Sequence, residues 1–272
     1  MKHTHQGCDL FYSVEGSGPP VLFIQGVGVH GAGWQPQTSV LARKFSCLTF
    51  DNRGMGQSQP YTGKLTLEQM ASDAQAMLDA QGWDSAHVVG HSMGGLIAQA
   101  LALNIPTRVR SLSLLCTFPN GKNATQLTAR MLWLGLRTHI GTRRMRRHAF
   151  LEMVLPPQML TQIDQDAWAE KLAPLFGHDL ADQPPIVMKQ LSAMSAYDAT
   201  PRLKELGHIP TLVVSAEFDP IARPQFGRDI AAGIPNAQYV ELTNSSHGVP
   251  IHDPERVNTL LMEHLEMAER KI

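Results

Sequence analysis

The feature that most restricts the fold of this chain is a serine enclosed by glycines, Gly90-His91-Ser92-Met93-Gly94. An apolar run precedes it at residues 87–89, and a helix-forming run follows it at residues 95–103. Where a strand turns sharply into a helix, the two backbones pass closely and leave little room for side chains beside the serine. The pattern therefore predicts a strand, a strained turn and a helix, with the Ser92 hydroxyl raised above the edge of a sheet.

Apolar runs alternate with helix-like segments along much of the chain, which is typical of a mostly parallel sheet with helices on both faces. One helix opens with a capping box, in which Thr66 and Gln69 are expected to satisfy each other's main-chain amides, and it ends near Gln81-Gly82. An apolar stripe at residues 257–265 predicts a closing helix. The predicted strands are residues 21–24, 47–50, 87–89, 112–116, 211–215 and 239–242.

The stretch from residue 118 to residue 206 differs from its surroundings. It holds several Met- and Leu-rich helical segments and two proline pairs, and it shows little strand signal. The strand and helix rhythm then resumes, and no internal repeat interrupts it. We therefore expect one α/β core domain made of residues 1–117 and 207–272, with residues 118–206 inserted as a helical cap.

Length, charge and cysteine content narrow the class of protein. A chain of 272 residues is long enough for one large domain, and a net charge of −1 without long single-sign runs is not that of a general nucleic-acid binder. No uninterrupted apolar stretch is long enough to cross a bilayer, and the N-terminus lacks a secretion signal. We expect a cytoplasmic protein without stable membrane insertion, in which Cys8, Cys47 and Cys116 are buried free thiols.

A serine hydroxyl is a weak nucleophile at neutral pH and needs a base that removes its proton. His247 is the best-placed histidine, because its loop follows the last predicted strand, and α/β sheets place their sites at the carboxyl ends of strands. The loop after residues 211–215 offers two carboxylates to orient this histidine, Asp219 and, as an alternative, Glu217. The preferred catalytic set is Ser92, Asp219 and His247.

Two main-chain amides are candidates for an oxyanion hole. Met93 N–H lies at the predicted start of a helix, and Val27 N–H lies between Gly26 and Gly28 after the first long buried run. The same loop also fits a dinucleotide-binding pattern at residues 26–31, with Asp51 at about the right distance. That alternative leaves the serine turn, Asp219 and His247 without a role, so we expect neither an organic cofactor nor a metal.

With these segments assembled, the chain resembles the α/β-hydrolase superfamily, and within it the cap-bearing esterase and 3-oxoadipate enol-lactonase-like group. The resemblance is carried by residues 25–28, by the D-x-R-G-x-G-x-S block at residues 51–58, by residues 90–95 and by the Asp219 and His247 loops. It implies that Asp51 and Arg53 are scaffold residues. It also implies a cap over the active site. Gln25 stands where many members have histidine, which is expected to alter the wall of the pocket.

The predicted activity is hydrolysis of carboxylic esters of small to medium, apolar substrates through an acyl-enzyme on Ser92. An ester or lactone is thus the expected partner. Several alternatives remain open: an enol-lactone hydrolase, a carbon–carbon bond hydrolase, a cofactor-free haloperoxidase with the same triad, and a ligand-binding protein without turnover. The sequence does not determine the oligomeric state.

Two parts of the predicted cap have more than one interpretation. Met131, Leu132, Trp133, Leu134 and Leu136 either contact an apolar substrate or form the core of the cap. Five arginines lie between residues 137 and 147. They either recognise a substrate carboxylate, touch anionic lipid or a partner chain, or form a solvated helix face.

Overall fold

A computed structural model describes residues 1–125 and 128–271 of the chain. Within these residues, the strands are β1 Lys2–His5, β2 Cys8–Glu15, β3 Pro20–Ile24, β4 Ser46–Phe50, β5 Ala86–His91, β6 Val109–Leu115, β7 Thr211–Ala216 and β8 Gln238–Leu242. These eight strands form one sheet in the order β1-β2-β4-β3-β5-β6-β7-β8.

All neighbouring strands from β4 to β8 are paired in parallel, whereas β1 with β2 and β2 with β4 are antiparallel. The predicted α/β class and all six predicted strands are therefore confirmed. The strands that the sequence analysis missed are β1 and β2. The alternation of buried Cys8, Leu10 and Tyr12 with half-buried neighbours is the signal for β2, since one face of an antiparallel strand is buried.

Helices cover both faces of the sheet, and none within residues 1–125 and 128–271 is long and apolar enough to cross a membrane. The α-helices are α1 Gln35–Leu41, α2 Leu67–Ala80, α3 Met93–Asn104, α4 Gly121–Thr125, α5 Ala129–Arg137, α6 Arg143–Val154, α7 Pro157–Leu160, α8 Gln165–Phe176, α9 Val187–Ser195, α10 Pro224–Gly233, α11 Val249–His252 and α12 Pro254–Glu269.

The capping box predicted for α2 is only half formed. Thr66 Oγ1 accepts a hydrogen bond from Gln69 N at 3.1 Å, as predicted. The Gln69 side chain does not return to Thr66, because its amide donates to Asp73 Oδ1 at 3.2 Å. The prediction of a reciprocal pair was wrong in this half. A capping box needs Gln69 Oε1 to accept from Thr66 N, and the hydrogen bond to Asp73, one helical turn further on, directs the side chain away from Thr66.

Helices α4 to α9 lie in the predicted cap, and part of this region has its own apolar cluster. Leu151, Leu172 and Phe176 are buried there, together with Val29 from the loop after β3. Phe118, at the start of the predicted cap, packs into the main core instead. The cap is thus joined to the core by shared apolar packing, and its exact boundaries stay a prediction.

The apolar run on α5 is divided by its position on the helix. Met131 and Leu134 are buried, whereas Leu132, Trp133 and Leu136 are half or more exposed. Residues three apart on a helix share a face, so this run has one inner and one outer side. The core interpretation holds for Met131 and Leu134 alone.

A buried ion pair fixes α2 against the loop that follows β4. Arg53 Nε and Nη2 donate to the two carboxylate oxygens of Asp73 at 2.9 and 2.5 Å. Arg53 also donates to the main-chain oxygens of His5 and Gln6, at 3.0 and 3.3 Å. One guanidinium therefore connects β4, α2 and the turn between β1 and β2, which is the scaffold role that the resemblance implied for Arg53.

We expect Arg53→Met to lower the free energy of unfolding by about 3–5 kcal/mol, because it leaves the Asp73 carboxylate buried without its cation. Urea denaturation monitored by circular dichroism measures the effect. Arg144→Met is the matched control, since Arg144 pairs with Asp166 at an exposed site and its loss is expected to cost about 0–1 kcal/mol. Equal losses in the two variants would contradict the role of Arg53.

Candidate active site

The turn at Ser92 has the strained geometry that its glycines predict. Ser92 lies between the end of β5 and the start of α3 with φ of 54° and ψ of −121°. A Cβ atom on Gly90 would stand 2.3 Å from the carbonyl oxygen of Gly94, and one on Gly94 would stand 2.1 Å from that of Ile24. Any side chain at either position would therefore force β3, β5 and α3 apart.

The main chain of Ser92 is held from the neighbouring strand. Ser92 N donates to Leu115 O at 3.0 Å, and Thr117 Oγ1 donates to Ser92 O at 2.6 Å. Thr117 also contacts α3, because a Cβ on Gly95 would lie 2.5 Å from its side chain. These contacts oppose relaxation of the positive φ at Ser92, which costs energy in any residue other than glycine.

Ser92, His247 and Asp219 form one chain of hydrogen bonds. His247 Nε2 is 3.0 Å from Ser92 Oγ, and His247 Nδ1 is 2.8 Å from Asp219 Oδ2. Ser92 and His247 are each 7% exposed and Asp219 is 3% exposed. The three residues come from loops after β5, β7 and β8, so the parallel sheet brings together side chains that are far apart in sequence.

The carboxylate of Asp219 is fixed by its own loop. Its Oδ1 accepts hydrogen bonds from Ile221 N and Ala222 N, both at 2.8 Å, which leaves Oδ2 directed at His247. The alternative carboxylate, Glu217, is exposed and accepts a hydrogen bond from Asn244 N at 2.9 Å. The geometry therefore favours Asp219 over Glu217 as the carboxylate that orients His247.

His91, inside the serine turn, supports the histidine loop. Its ring lies 4.9 Å from the ring of His247, and its Nε2 is 2.8 Å from His247 O. Desolvation, together with the nearby His247, lowers the pKa of His91 to about 3. A neutral His91 donates its Nε2 proton to the carbonyl of His247, and this hydrogen bond ties the serine turn to the histidine loop.

Three consecutive amides follow β3, and the outer two are occupied. Gly26 N donates to Gln25 Oε1 at 3.2 Å, and Gly28 N donates to Gln190 Oε1 at 2.9 Å. Val27 N, between them, donates to no acceptor in the part of the chain that the structure describes. Gln25 is buried and its side chain holds this loop, while its effect on the pocket wall stays a prediction.

The loop of Val27 passes directly beside the serine. A Cβ on Gly26 would lie 3.0 Å from Ser92 Cβ and 3.5 Å from Ser92 Oγ. Met93 N, at the first position of α3, likewise has no acceptor among residues 1–125 and 128–271. Two free donors thus border the Ser92 hydroxyl, and the helix dipole of α3 adds positive potential there.

Asp51 has the structural role that the resemblance implied. Its Oδ1 accepts from Gly31 N at 2.8 Å and its Oδ2 accepts from Gln57 N at 3.1 Å. The carboxylate that a dinucleotide site would direct at a ribose is instead bound to the backbone of its own neighbourhood. Gly26, the first glycine of that pattern, instead lies against Ser92.

Sequence reasoning missed the support given by Cys116 and Thr117. Cys116 has a φ of 45°, and its thiol lies beside Asp219. Burial, and then the charge of Asp219, raise the pKa of this thiol well above its ordinary value, so it stays protonated. Both residues directly follow β6, which pairs with β5. Because adjacent parallel strands end at the same edge of a sheet, this position could have indicated that they lie near Ser92.

Metal ligands do not converge in the described ranges. Across residues 1–125 and 128–271, no three His, Cys, Asp or Glu side chains are grouped as a metal ion requires. Cys8, Cys47 and Cys116 are free and buried, as predicted. The expectation that the protein needs no metal or cofactor stays a prediction.

Comparison with known proteins gives the family. The family model of the alpha/beta hydrolase fold matches residues 19–254. A protein named "Putative carbamate hydrolase RutD" from Azorhizobium caulinodans is 28% identical over 268 residues, which cover 96% of this chain and 97% of that protein.

Two solved structures share the fold over nearly their full length. "Putative non-heme bromoperoxidase BpoC" from Mycobacterium tuberculosis H37Rv has a TM-score of 0.84 at 26% identity and covers 98% of both chains. A thermophilic esterase from Thermogutta terrifontis has a TM-score of 0.80 at 26% identity, again over 98% of both chains. The superfamily that the sequence resembled is confirmed: this chain belongs to the α/β-hydrolase fold family.

Proposed function

We propose that the protein hydrolyses carboxylic esters through an acyl-enzyme on Ser92, with His247 as general base and Asp219 as the group that orients it. The observation that carries the proposal is the continuous relay from Ser92 Oγ to His247 Nε2 and from His247 Nδ1 to Asp219 Oδ2, at 3.0 and 2.8 Å. A base within hydrogen-bond distance of the hydroxyl, itself fixed by a carboxylate, is the arrangement that activates a serine.

In the acylation step, Ser92 Oγ attacks the ester carbonyl carbon while His247 Nε2 takes the hydroxyl proton. The negative charge that develops on the carbonyl oxygen is stabilised by Val27 N–H and Met93 N–H. Neither amide donates to another acceptor within the described ranges. Such preorganised donors stabilise the charge without reorganisation at the moment of reaction. His247 then gives its proton to the leaving alcohol, and the acyl group stays on Ser92.

Deacylation repeats these roles with water as the nucleophile. His247 removes a proton from water, water attacks the acyl carbonyl, and the same two amides hold the oxyanion. Asp219 orients the His247 ring in both steps, because two main-chain amides hold Oδ1 while Oδ2 faces His247 Nδ1. The collapse of the intermediate returns the proton to Ser92 Oγ and releases the acid.

The small size proposed for the substrate is supported by the way the cap meets the site. Val154 O on α6 accepts a hydrogen bond from Gly248 N, next to His247, at 2.9 Å. Gln190 on α9 accepts from Gly28 N, next to Val27. Two cap helices are therefore tied to the two loops that would contact the substrate, and they leave Ser92 only 7% exposed.

Carbamate hydrolysis is a second candidate, favoured by the similarity to proteins named as carbamate hydrolases. A carbamate carbonyl accepts the same attack by Ser92, with loss of its alcohol and formation of a carbamoyl-enzyme. Donation from the carbamate nitrogen makes this carbonyl less electrophilic, so attack by water on the carbamoyl-enzyme is slower than on an acyl-enzyme. Comparing 4-nitrophenyl butyrate with 4-nitrophenyl N-propylcarbamate, which share a leaving group, separates the two: an esterase turns over the ester and only slowly releases the carbamoyl group.

We expect Ser92→Ala to lower kcat for 4-nitrophenyl butyrate by about a thousandfold or more, because no other group can form the acyl-enzyme. Initial rates of 4-nitrophenolate release measure this, and labelling by a fluorophosphonate should be lost with the activity. The matched control is Ser113→Ala on the adjacent strand β6. The Ser113 hydroxyl is buried and has no hydrogen-bond partner among the described residues. Full labelling of Ser92→Ala would contradict the proposal.

We expect Asp219→Asn to lower kcat by about 10⁴-fold with little change in KM, since an amide favours the wrong tautomer of His247. Steady-state kinetics with the same ester measure both constants. Glu217→Gln makes the same chemical change two residues earlier on an exposed side chain, and its kcat should stay within a few-fold of the original. A large loss in Glu217→Gln with activity kept in Asp219→Asn would reverse the assignment.

A further inference from the structure

The basic segment of the cap contains one arginine without an acidic partner. Four of its five arginines form ion pairs within 4.0 Å: Arg137 with Glu152, Arg143 with Asp179 and Asp182, Arg144 with Asp166, and Arg147 with Asp179. Arg146 makes no ion pair in the part of the chain that the structure describes, and its Nε is buried without a hydrogen-bond acceptor. Arg146 is half-buried, and the interpretation as a solvated helix face does not account for its enclosed Nε.

A buried guanidinium N–H without an acceptor is unfavourable, because it has lost water and gained nothing in exchange. The planar guanidinium presents several donors in a fork that matches the two oxygens of a carboxylate. Arg146 therefore has unused capacity for an anion. The neighbouring arginines have used theirs on aspartate and glutamate of the cap itself.

Arg146 lines a cavity of about 390 Å³ between the end of α5, α6 and the start of α9. His139 and Gln183 add polar groups to its wall, and Pro185, Val187 and Met188 add apolar ones. A cavity with one unpaired cation and an apolar wall suits a small molecule that carries a carboxylate on an aliphatic chain.

The one acidic group in the cavity wall does not compete for Arg146. Asp182 lines the cavity, but its two oxygens accept hydrogen bonds from Arg143 at 3.2 and 2.8 Å. Its charge is therefore balanced by an arginine that is not part of the wall. The charge of Arg146 is left for a ligand.

The cavity adjoins the loops of the candidate active site. Val187, in its wall, lies against Gly28, since a Cβ on Gly28 would be 3.1 Å from Val187 Cγ2. On α6, Arg146 precedes Val154 by eight residues, which corresponds to about 12 Å along a helix. Val154 O accepts the hydrogen bond from Gly248 N, next to His247. Helix α6 therefore runs from the cavity to the loop of His247.

We propose that this cavity binds the free carboxylate of the acyl part of the substrate, with Arg146 as its cationic partner. The substrate class is then monoesters of aliphatic dicarboxylic acids, in which one carboxyl group is esterified and attacked by Ser92. This inference rests on the proposed esterase function. Arg146 is a specificity-determining residue in this scheme and takes no part in the proton transfers at Ser92.

The test compares 4-nitrophenyl hydrogen suberate with 4-nitrophenyl octanoate, which have the same chain length and differ by a terminal carboxylate. We expect Arg146→Met to lower kcat/KM for the suberate monoester about tenfold or more, through a higher KM, and to leave the octanoate within about twofold. Arg144, two residues earlier on α6, is already paired with Asp166, so Arg144→Met should change kcat/KM for neither ester. Equal effects of Arg146→Met on both esters would overturn the proposal.

Arg146→Lys keeps the positive charge but lacks the paired donors of the guanidinium. It should therefore recover part of the loss in kcat/KM for the suberate monoester. This variant also provides the test if Arg146→Met does not fold. Calorimetric titration with free suberate gives a readout that does not need turnover. Binding by the original protein that is lost in Arg146→Met supports the cavity even if neither ester is hydrolysed, a result that would refute the esterase proposal alone. Absence of both suberate binding and a preference for the monoester would refute the cavity.

Discussion

The structure depends most on the close contact between β3, β5 and α3 at the serine turn. A Cβ atom on Gly94 would lie 2.1 Å from the carbonyl oxygen of Ile24, and one on Gly90 would lie 2.3 Å from that of Gly94. Only glycine at these two positions therefore allows the strands and the helix to meet. This contact sets Ser92 in its strained conformation and brings the loop of Val27 beside it. Since parallel strands end at one edge, the loops after β7 and β8 then deliver Asp219 and His247 to the same place.

Much of this arrangement was predictable because each part has a local signal. The glycines around Ser92, the apolar runs of six strands and the polar loops after them are all readable within a few residues. The choice between Asp219 and Glu217 was a preference, and it required the main-chain amides of Ile221 and Ala222 to fix one carboxylate in space. The side chains that support the site, His91 and Thr117, follow from strand order, which no single segment carries.

The sequence failed where a side chain has more than one partner within reach or where partners are distant. Gln69 donates to Asp73 and does not accept from Thr66 N, and the same Asp73 oxygen also accepts from Arg53. The sequence alone does not distinguish the five arginines of the cap segment from one another. Their partners come from residues 152 to 182 on other cap segments, so only the packed cap distinguishes the four paired arginines from Arg146.

The division of labour between core and cap explains how one relay can serve different reactions. In the proposed reaction, Ser92, His247 and the two free amides act on the carbonyl group and make no contact with the rest of the substrate. The rest of the substrate is then expected to meet the cap, whose helices α6 and α9 are each tied to a loop beside Ser92 or His247 by one hydrogen bond. A change in the cap that shifts either helix therefore alters both access to Ser92 and the position of a loop amide. On the proposed mechanism, we expect selectivity and rate to be coupled through Gly28 and Gly248, while the chemistry at Ser92 stays the same.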